Sequence, residues 1–176
     1  VDEKRAIKEW AINRNRPFLG ICLGLQLLAE ALGGKIGVAS KPEVGIGEVK
    51  LSGLGRRHAM TNGLKPTMKV MQWHHAEVQE LPEGAEVLAT SPVTKVQIMS
   101  VADTLLATQF HAELTPALIE RWAHIPQYID WLNEALGPDA YPRVRARALP
   151  LMPQLERMSR RLFNNLIEGK ALRQAA

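Results

Sequence analysis

The chain has 176 residues, 46% hydrophobic and 23% charged, with a net charge of +4 at pH 7; at ~100–200 residues per domain this is apolar material for one core. The balance excludes a disordered or collagen-like chain, no stretch approaches the ~18 uncharged apolar residues of a membrane helix, and a lone cysteine, Cys22, excludes a disulfide framework. No apolar N-terminal stretch reads as a signal peptide, so the cytoplasm is the expected compartment.

Position 1 is Val, and Asp2 and Glu3 open a helix with no strand or cap before it. The chain is therefore read as lacking an N-terminal piece. Residues 2–13 are expected to be helical, with Ala6, Ile7, Trp10 and Ala11 forming one apolar stripe. After Pro17, the run Phe18-Leu19-Gly20-Ile21 is apolar without alternation, which fits a strand covered on both faces, as in a parallel sheet. A helix over about 23–32 follows and stops at Gly33-Gly34. Further strands are expected over 45–51, 68–73, 86–89, 96–101 and 104–110, with a tight turn at Ala102-Asp103 joining the last two. Thr115-Pro116 is an N-cap followed by a first-turn proline and opens another helix. Pro126 should break or kink that helix, whose continuation ends near Gly137-Pro138. A last helix, about 153–168, carries Leu155, Met158, Leu162 and Leu166 on one side. Helix, buried strand, sharp turn and helix together make an α/β domain, three-layered, with a mostly parallel sheet and a helical C-terminal extension.

From Tyr141 onward Arg143, Arg145, Arg147, Arg157, Arg160, Arg161, Lys170 and Arg173 meet only Glu156 and Glu168. Without interleaved aromatics or a recognisable binding motif, this is read as a solvated helix face beside a basic loop, and nucleic acid is not expected as a partner.

Cys22 is the sharpest feature. It sits in Gly20-Ile21-Cys22-Leu23-Gly24, between a strand and a helix, in the form of a nucleophile elbow with cysteine in place of serine. The abrupt turn strains the backbone, and the two glycines spare a clash of flanking side chains. The sulfur is then held outside the sheet at a helix N-terminus, where unpaired N–H groups favour an anion. The alternative for a free cysteine is burial in a core. A thiolate nucleophile needs a base and a group to orient the base. His111 and Glu113 stand at i, i+2 beyond the strand expected over 104–110, so both project to one side. Strand carboxyl ends gather at one edge of a parallel sheet, which brings His111 to Cys22 and lets Glu113 hold its other ring nitrogen. Glu113 near a helix N-terminus would also be stabilising without any catalysis. His74 and His75 are adjacent in an extended segment and point opposite ways, and one Cys with one His makes a poor zinc set, so no metal is expected.

Gly20-Ile21-Cys22-Leu23-Gly24-Leu25-Gln26 followed by Gln109-Phe110-His111-Ala112-Glu113 resembles the class I (triad) glutamine amidotransferases, in particular stand-alone members similar to the amidotransferase domain of GMP synthase. Met71-Gln72-Trp73-His74-His75-Ala76-Glu77 and Glu43-Val44-Gly45 resemble further segments of that group. The resemblance covers about residues 1–120 and implies a flavodoxin-like amidotransferase fold. On it, residues 1–136 are taken as an N-terminally incomplete amidotransferase-like domain, and 137–176 as a basic linker and C-terminal helix packed on the same domain. The resemblance further implies hydrolysis of glutamine to glutamate and ammonia through a thioester on Cys22, with His111 moving protons and Glu113 orienting it. It also places Gln26 against the bound glutamine, backbone around Trp73, His75 and Ala76 at its amino-acid end, and the Leu23 amide in the oxyanion hole. No cofactor is implied, and the partner would be an acceptor or synthetase protein using the ammonia.

Two departures stand out. The family usually has proline where Ala112 stands, a change expected to do little harm since proline mainly fixes φ. The family's other oxyanion donor comes from a glycine-rich loop that precedes the first helix seen here; losing such a donor costs about 10²–10³ in rate, so this segment alone is expected to be weakly active or inactive. Two other readings keep the same residues: a γ-glutamyl hydrolase or peptidase on this fold, and a non-catalytic binding or regulatory module.

Overall fold

The computed structural model describes residues 2–102 and 104–174, with side chains described through Glu168. The chain begins with α1 (Asp2–Lys8), which runs into a π-helical turn over Glu9–Asn13. That wider turn rotates the expected stripe. Ala11 is buried and Ile7 packs on the core, but Trp10 is exposed, and its indole N–H donates to Pro17 O at 2.9 Å. Strand β1 (Phe18–Ile21) and helix α2 (Leu23–Ala31) follow as expected. Next come β2 (Lys35–Leu51), β3 (Thr67–Glu80), β4 (Ala85–Thr90), β5 (Ile98–Val101) and β6 (Leu105–Thr108). Asp103 of the expected β5–β6 turn lies outside the described residues; Ala102 in that turn has φ 50°.

The six strands form one sheet in the order β1-β6-β5-β4-β2-β3. The α/β class and three-layer plan are those expected, but the sheet is mixed rather than mostly parallel. Among the described residues, only β1–β6 pair in parallel, and β2–β3, β2–β4, β4–β5 and β5–β6 are antiparallel. A parallel pair needs a long crossover, usually helical; β2 to β6 are joined by turns and loops instead. β2 and β3 are also much longer than expected, pairing from Lys35↔Glu80 to Lys50↔Thr67 with a register shift between Val38 and Glu43.

Side chains alternate across the sheet as the pleat dictates. Leu105 and Ala107 of β6 enter a core with Leu25, Leu28 and Ala29 of α2 and Ala11, while Leu106 enters a second core on the opposite face. That second face is covered by α3 (Pro116–Trp122), α4 (Pro126–Leu136), α5 (Ala140–Ala148) and α6 (Met152–Gln174). Thr115 caps α3, its hydroxyl accepting from Leu118 N–H at 3.1 Å. Pro126 starts a new helix, so the break is complete. The expected basic loop is helical instead: Ala140, Val144 and Ala148, four residues apart, are buried, leaving the arginines outside. Leu155, Met158, Leu162 and Leu166 of α6 are buried in the same core. Among the described residues, no helix is long and apolar enough to cross a membrane.

Candidate active site

The single parallel pair builds the site. Ile21 is in register with Thr108, so both strands end at the same edge and the residues after them come together. Cys22 N–H donates to Thr108 O at 2.8 Å, continuing the ladder one residue past β1. There the chain turns sharply: Cys22 adopts φ 50°, ψ −102°, a region that costs a non-glycine residue about 1–3 kcal/mol. α2 starts at the next residue, and Cys22 O receives the amides of Leu25 and Gln26 at 3.0 and 3.3 Å. Leu23 and Gly24, in the first turn, carry N–H groups that no helical carbonyl can reach.

The two elbow glycines are not equivalent, which corrects the expectation that both spare a clash. A Cβ at Gly20 would lie 2.7 Å from the Gly24 carbonyl carbon and oxygen and 3.0 Å from Leu25 N, all backbone atoms. One at Gly24 meets nothing within 4 Å. Gly20 is required by the close approach of β1 to α2; Gly24 faces open space.

Around the sulfur stand atoms from three segments. Gln109 Nε2 donates to Cys22 Sγ at 3.7 Å, and the thiol approaches Trp73 O at 3.8 Å. His111 is the third neighbour. β6 stops at Thr108, so His111 leaves not on an extended strand but on a short loop pinned by His111 N–H to Met71 O at 2.8 Å. Its Nδ1 lies 2.6 Å from Glu113 Oε1. Burial alone would pull the His111 pKa down; hydrogen bonds to Cys22 and then Glu113, with the charges of both, outweigh it and push it up to about 9. The imidazole is thus a cation at neutral pH, bridging a sulfur and a carboxylate. Ala112, in the usual place of proline, donates its N–H to Phe110 O at 3.1 Å, a bond proline lacks.

Gln26 lies beside this group. Its Nε2 donates to Ala76 O at 3.1 Å and to Gln109 Oε1 at 3.3 Å. Ala76 O also receives the His74 ring at 3.1 Å through Nδ1. His74 is buried and His75 exposed, as alternation along β3 requires. His74 Nε2 faces Glu43 Oε2 at 3.4 Å, and that oxygen also accepts from Ser91 Oγ at 2.9 Å and Gln97 Nε2 at 2.7 Å. Burial works to raise the Glu43 pKa, but its contacts with His74, Ser91 and Thr94 hold it below the usual carboxylate value. Of the residues expected at the site, Cys22, Gln26, Trp73, Ala76, His111 and Glu113 are brought together directly. Leu23 follows the sulfur and is exposed, and the His75 ring packs edge-on against Trp131.

Gln109 is the residue that motif reading passed over. It is fully buried and ties the sulfur to Gln26. Its signal was a large polar residue inside the strand expected over 104–110. A sulfur beside an imidazole that a carboxylate holds, next to unpaired helix amides, is an arrangement able to attack a carbonyl carbon and protonate a leaving group. Among the described residues, no group of three or more His, Cys, Asp or Glu side chains is placed to hold a metal ion.

The model of the glutamine amidotransferase class-I family matches residues 1–121. A glutamine-hydrolyzing GMP synthase subunit from Sulfurisphaera tokodaii is 38% identical over 107 residues, covering 60% of this chain and 55% of the relative. Gamma-glutamyl peptidase 4 of Arabidopsis thaliana is 35% identical over 102 residues, covering 56% and 41%. The crystal structure of a glutamine amidotransferase from Thermotoga maritima superposes with a TM-score of 0.82 at 26% identity, covering 95% of this chain and 69% of that one. The match to the Sulfurisphaera relative thus spans little more than half of that protein's length.

Proposed function

This chain belongs to the class-I glutamine amidotransferase family, and from that premise we propose that it hydrolyses the side-chain amide of glutamine through a thioester on Cys22. The observation that carries the proposal is His111 held at Nδ1 by Glu113 Oε1 at 2.6 Å, with its pKa raised to about 9 by Cys22 and Glu113. Glu113 holds Nδ1, which leaves Nε2 for the sulfur. Cys22 Sγ attacks the γ-carbonyl carbon, and the Leu23 amide receives the charge developing on oxygen. The C–N bond breaks and His111 gives its proton to the departing nitrogen, which leaves as ammonia. Acylation ends the sulfur's part in holding a proton on His111. The neutral imidazole then takes a proton from water, hydroxide adds to the thioester, and the C–S bond breaks. Thiolate and imidazolium are restored, and glutamate is released.

Gln26 would contact the bound glutamine, with backbone at Trp73, His75 and Ala76 at its amino-acid end. Residues 1–136 would carry this chemistry, and 137–176 would be a helical addition on the same core. The ammonia would serve an acceptor on a synthetase-like partner, a role supported by the likeness to a component of a GMP synthase. A second reading, hydrolysis of a larger γ-glutamyl amide by the same residues, is supported by the likeness to a gamma-glutamyl peptidase. The test is glutamate release from glutamine by the full-length protein and its Cys22→Ala variant. Release that depends on Cys22 is expected; equal release by both proteins would overturn the proposal.

A further inference from the structure

Six residues beside the sulfur close a loop of polar contacts. Gln109 Nε2 donates to Cys22 Sγ, and Gln109 Oε1 accepts from Gln26 Nε2 at 3.3 Å. Gln26 Nε2 also donates to Ala76 O, which takes the His74 ring through Nδ1 at 3.1 Å. His74 Nε2 faces Glu43 Oε2 at 3.4 Å, and that oxygen accepts from Gln97 Nε2 at 2.7 Å. Gln97 O then accepts the Gln109 N–H at 2.9 Å, which returns the path to the sulfur. Glu43 is the only acid of the six, and the thioester mechanism gives it no part.

Packing does not call for a charge here. The Glu43 side chain is 10% exposed and that of His74 1%, and an ion pair so buried contributes little over apolar side chains of similar volume. Burial works to raise the Glu43 pKa, but His74, Ser91 and Thr94 hold it low, so the carboxylate is charged. The backbone also bends to bring it in. Residues 39–42 of β2 lie between the pairs Val38↔Ala76 and Glu43↔His74, a bulge opposite His75 alone. Bulges re-aim a side chain and interrupt the ladder; next to this one, the His74 ring supplies Ala76 O with a hold.

What the loop fixes is the Gln26 amide. Ala76 O can only accept, so Nε2 is the atom turned to it; a flipped amide would set two oxygens face to face. Both Nε2 protons are then taken, by Ala76 O and Gln109 Oε1, and Gln26 Oε1 receives no donor among the described residues. That oxygen is left as an acceptor for an N–H group of the substrate. We propose that Glu43 is a positioning residue for the bound glutamine: it holds the His74 ring against Ala76 O, and so keeps Gln26 Oε1 turned to the substrate. This rests on the glutaminase reading, in which Gln26 contacts glutamine, and adds a residue that touches neither substrate nor sulfur.

The test is a double-mutant cycle on the full-length protein, reading KM and kcat for glutamate release from glutamine. Glu43→Gln keeps the shape and removes the charge. It should raise KM about tenfold and leave kcat within about twofold, since the lost orientation acts on binding. Gln26→Ala should raise KM by itself, and adding Glu43→Gln to it should raise KM little further, because the group that Glu43 positions is gone. A merely structural Glu43 would instead lower the active fraction, and hence kcat, in both backgrounds. Should Glu43→Gln fail to fold, His74→Asn takes its place in the cycle: it keeps a donor near Ala76 O, cuts the link to Glu43, and should show the same KM rise and the same dependence on Gln26. An unchanged KM, or an equal rise with and without Gln26, would overturn the inference and leave the glutaminase reading standing. Failure of that reading looks different, and takes the inference with it: no Cys22-dependent glutamate release by the wild-type protein.

Discussion

Two regions meet at the Cys22 sulfur, and they are held in place by different forces. The β1–β6 edge is a backbone construction: a parallel register, a strained residue at φ 50°, an amide-to-carbonyl bond from Cys22 to Thr108, and Gln109 donating to the sulfur. The α3–α4 side reaches the same place only through rings, with Trp122 against His111 and Tyr128 and Trp131 beyond it. Backbone placement tolerates little change, because a shifted carbonyl loses its bond. Ring packing tolerates exchange of one ring for another at modest cost. The first region fixes where the sulfur sits; the second packs against its flank.

Breaking the first region should have the largest effects. Cys22→Ala should lower glutamate release at least about a thousandfold while leaving the melting temperature within a few degrees, because the side chain touches few core atoms. His111→Ala should be nearly as damaging, since members of such a unit fail together. A rate near wild type for either, measured by glutamate release, would separate the chemistry from this edge.

The next effect is on pH dependence. His111 is raised from an ordinary 6.5 to about 9, so it should supply its proton up to that pH, and the rate of acylation should fall as pH rises through about 9. The same shift favours the folded state fully below pH 6.5, and that contribution is lost as pH climbs through about 9. Glu113→Gln removes one of the two partners holding the proton. It should cost about a hundredfold in rate, less than Cys22→Ala, and move the alkaline limb to lower pH. A limb that stays in place would show that Glu113 does not act on the imidazole.

Smaller still are the elbow glycines, which sharpen the comparison within the first region. Gly20→Ala forces a methyl against backbone at 2.7 Å and should cost about 1–3 kcal/mol in chemical denaturation. Gly24→Ala meets open space and should leave stability unchanged or slightly improved, since alanine favours a helix over glycine by about 1 kcal/mol. Equal costs for the two would mean that β1 and α2 are less closely packed than described.

The reactive group was legible because its signals are local: a cysteine between glycines at a strand–helix junction, and a histidine two residues from a glutamate. What escaped reading depends on distant pairing. The first half of β2, Lys35 to Glu43, has only Ile36, Val38 and Ala39 as apolar residues and includes Pro42, too short a pattern to mark a strand; it pairs because β3 runs alongside. α5 was hidden by Arg143, Arg145 and Arg147, although Ala140, Val144 and Ala148 make a stripe four residues apart; small alanines give a weak apolar signal. The Glu43–His74 contact joins residues far apart in the chain, and nothing in either segment announces the other. Gln109 shows its partners only once β1, α2 and β6 meet at one edge, which sets its side chain between the sulfur and Gln26. The ring cluster likewise needs α3 and α4 folded back over β3 before its members are neighbours.

The central claim is that the Cys22 sulfur is a nucleophile poised by His111 for a γ-glutamyl carbonyl. The most direct measurement is mass-spectrometric mapping of the full-length protein after treatment with a glutamine analogue that carries an electrophilic carbon at the γ-carbonyl end. Covalent modification at Cys22, suppressed by excess glutamine and strongly slowed in His111→Ala, is the expected result. A Cys22 left unmodified in the folded wild-type protein, or modified equally fast without His111, would contradict the account.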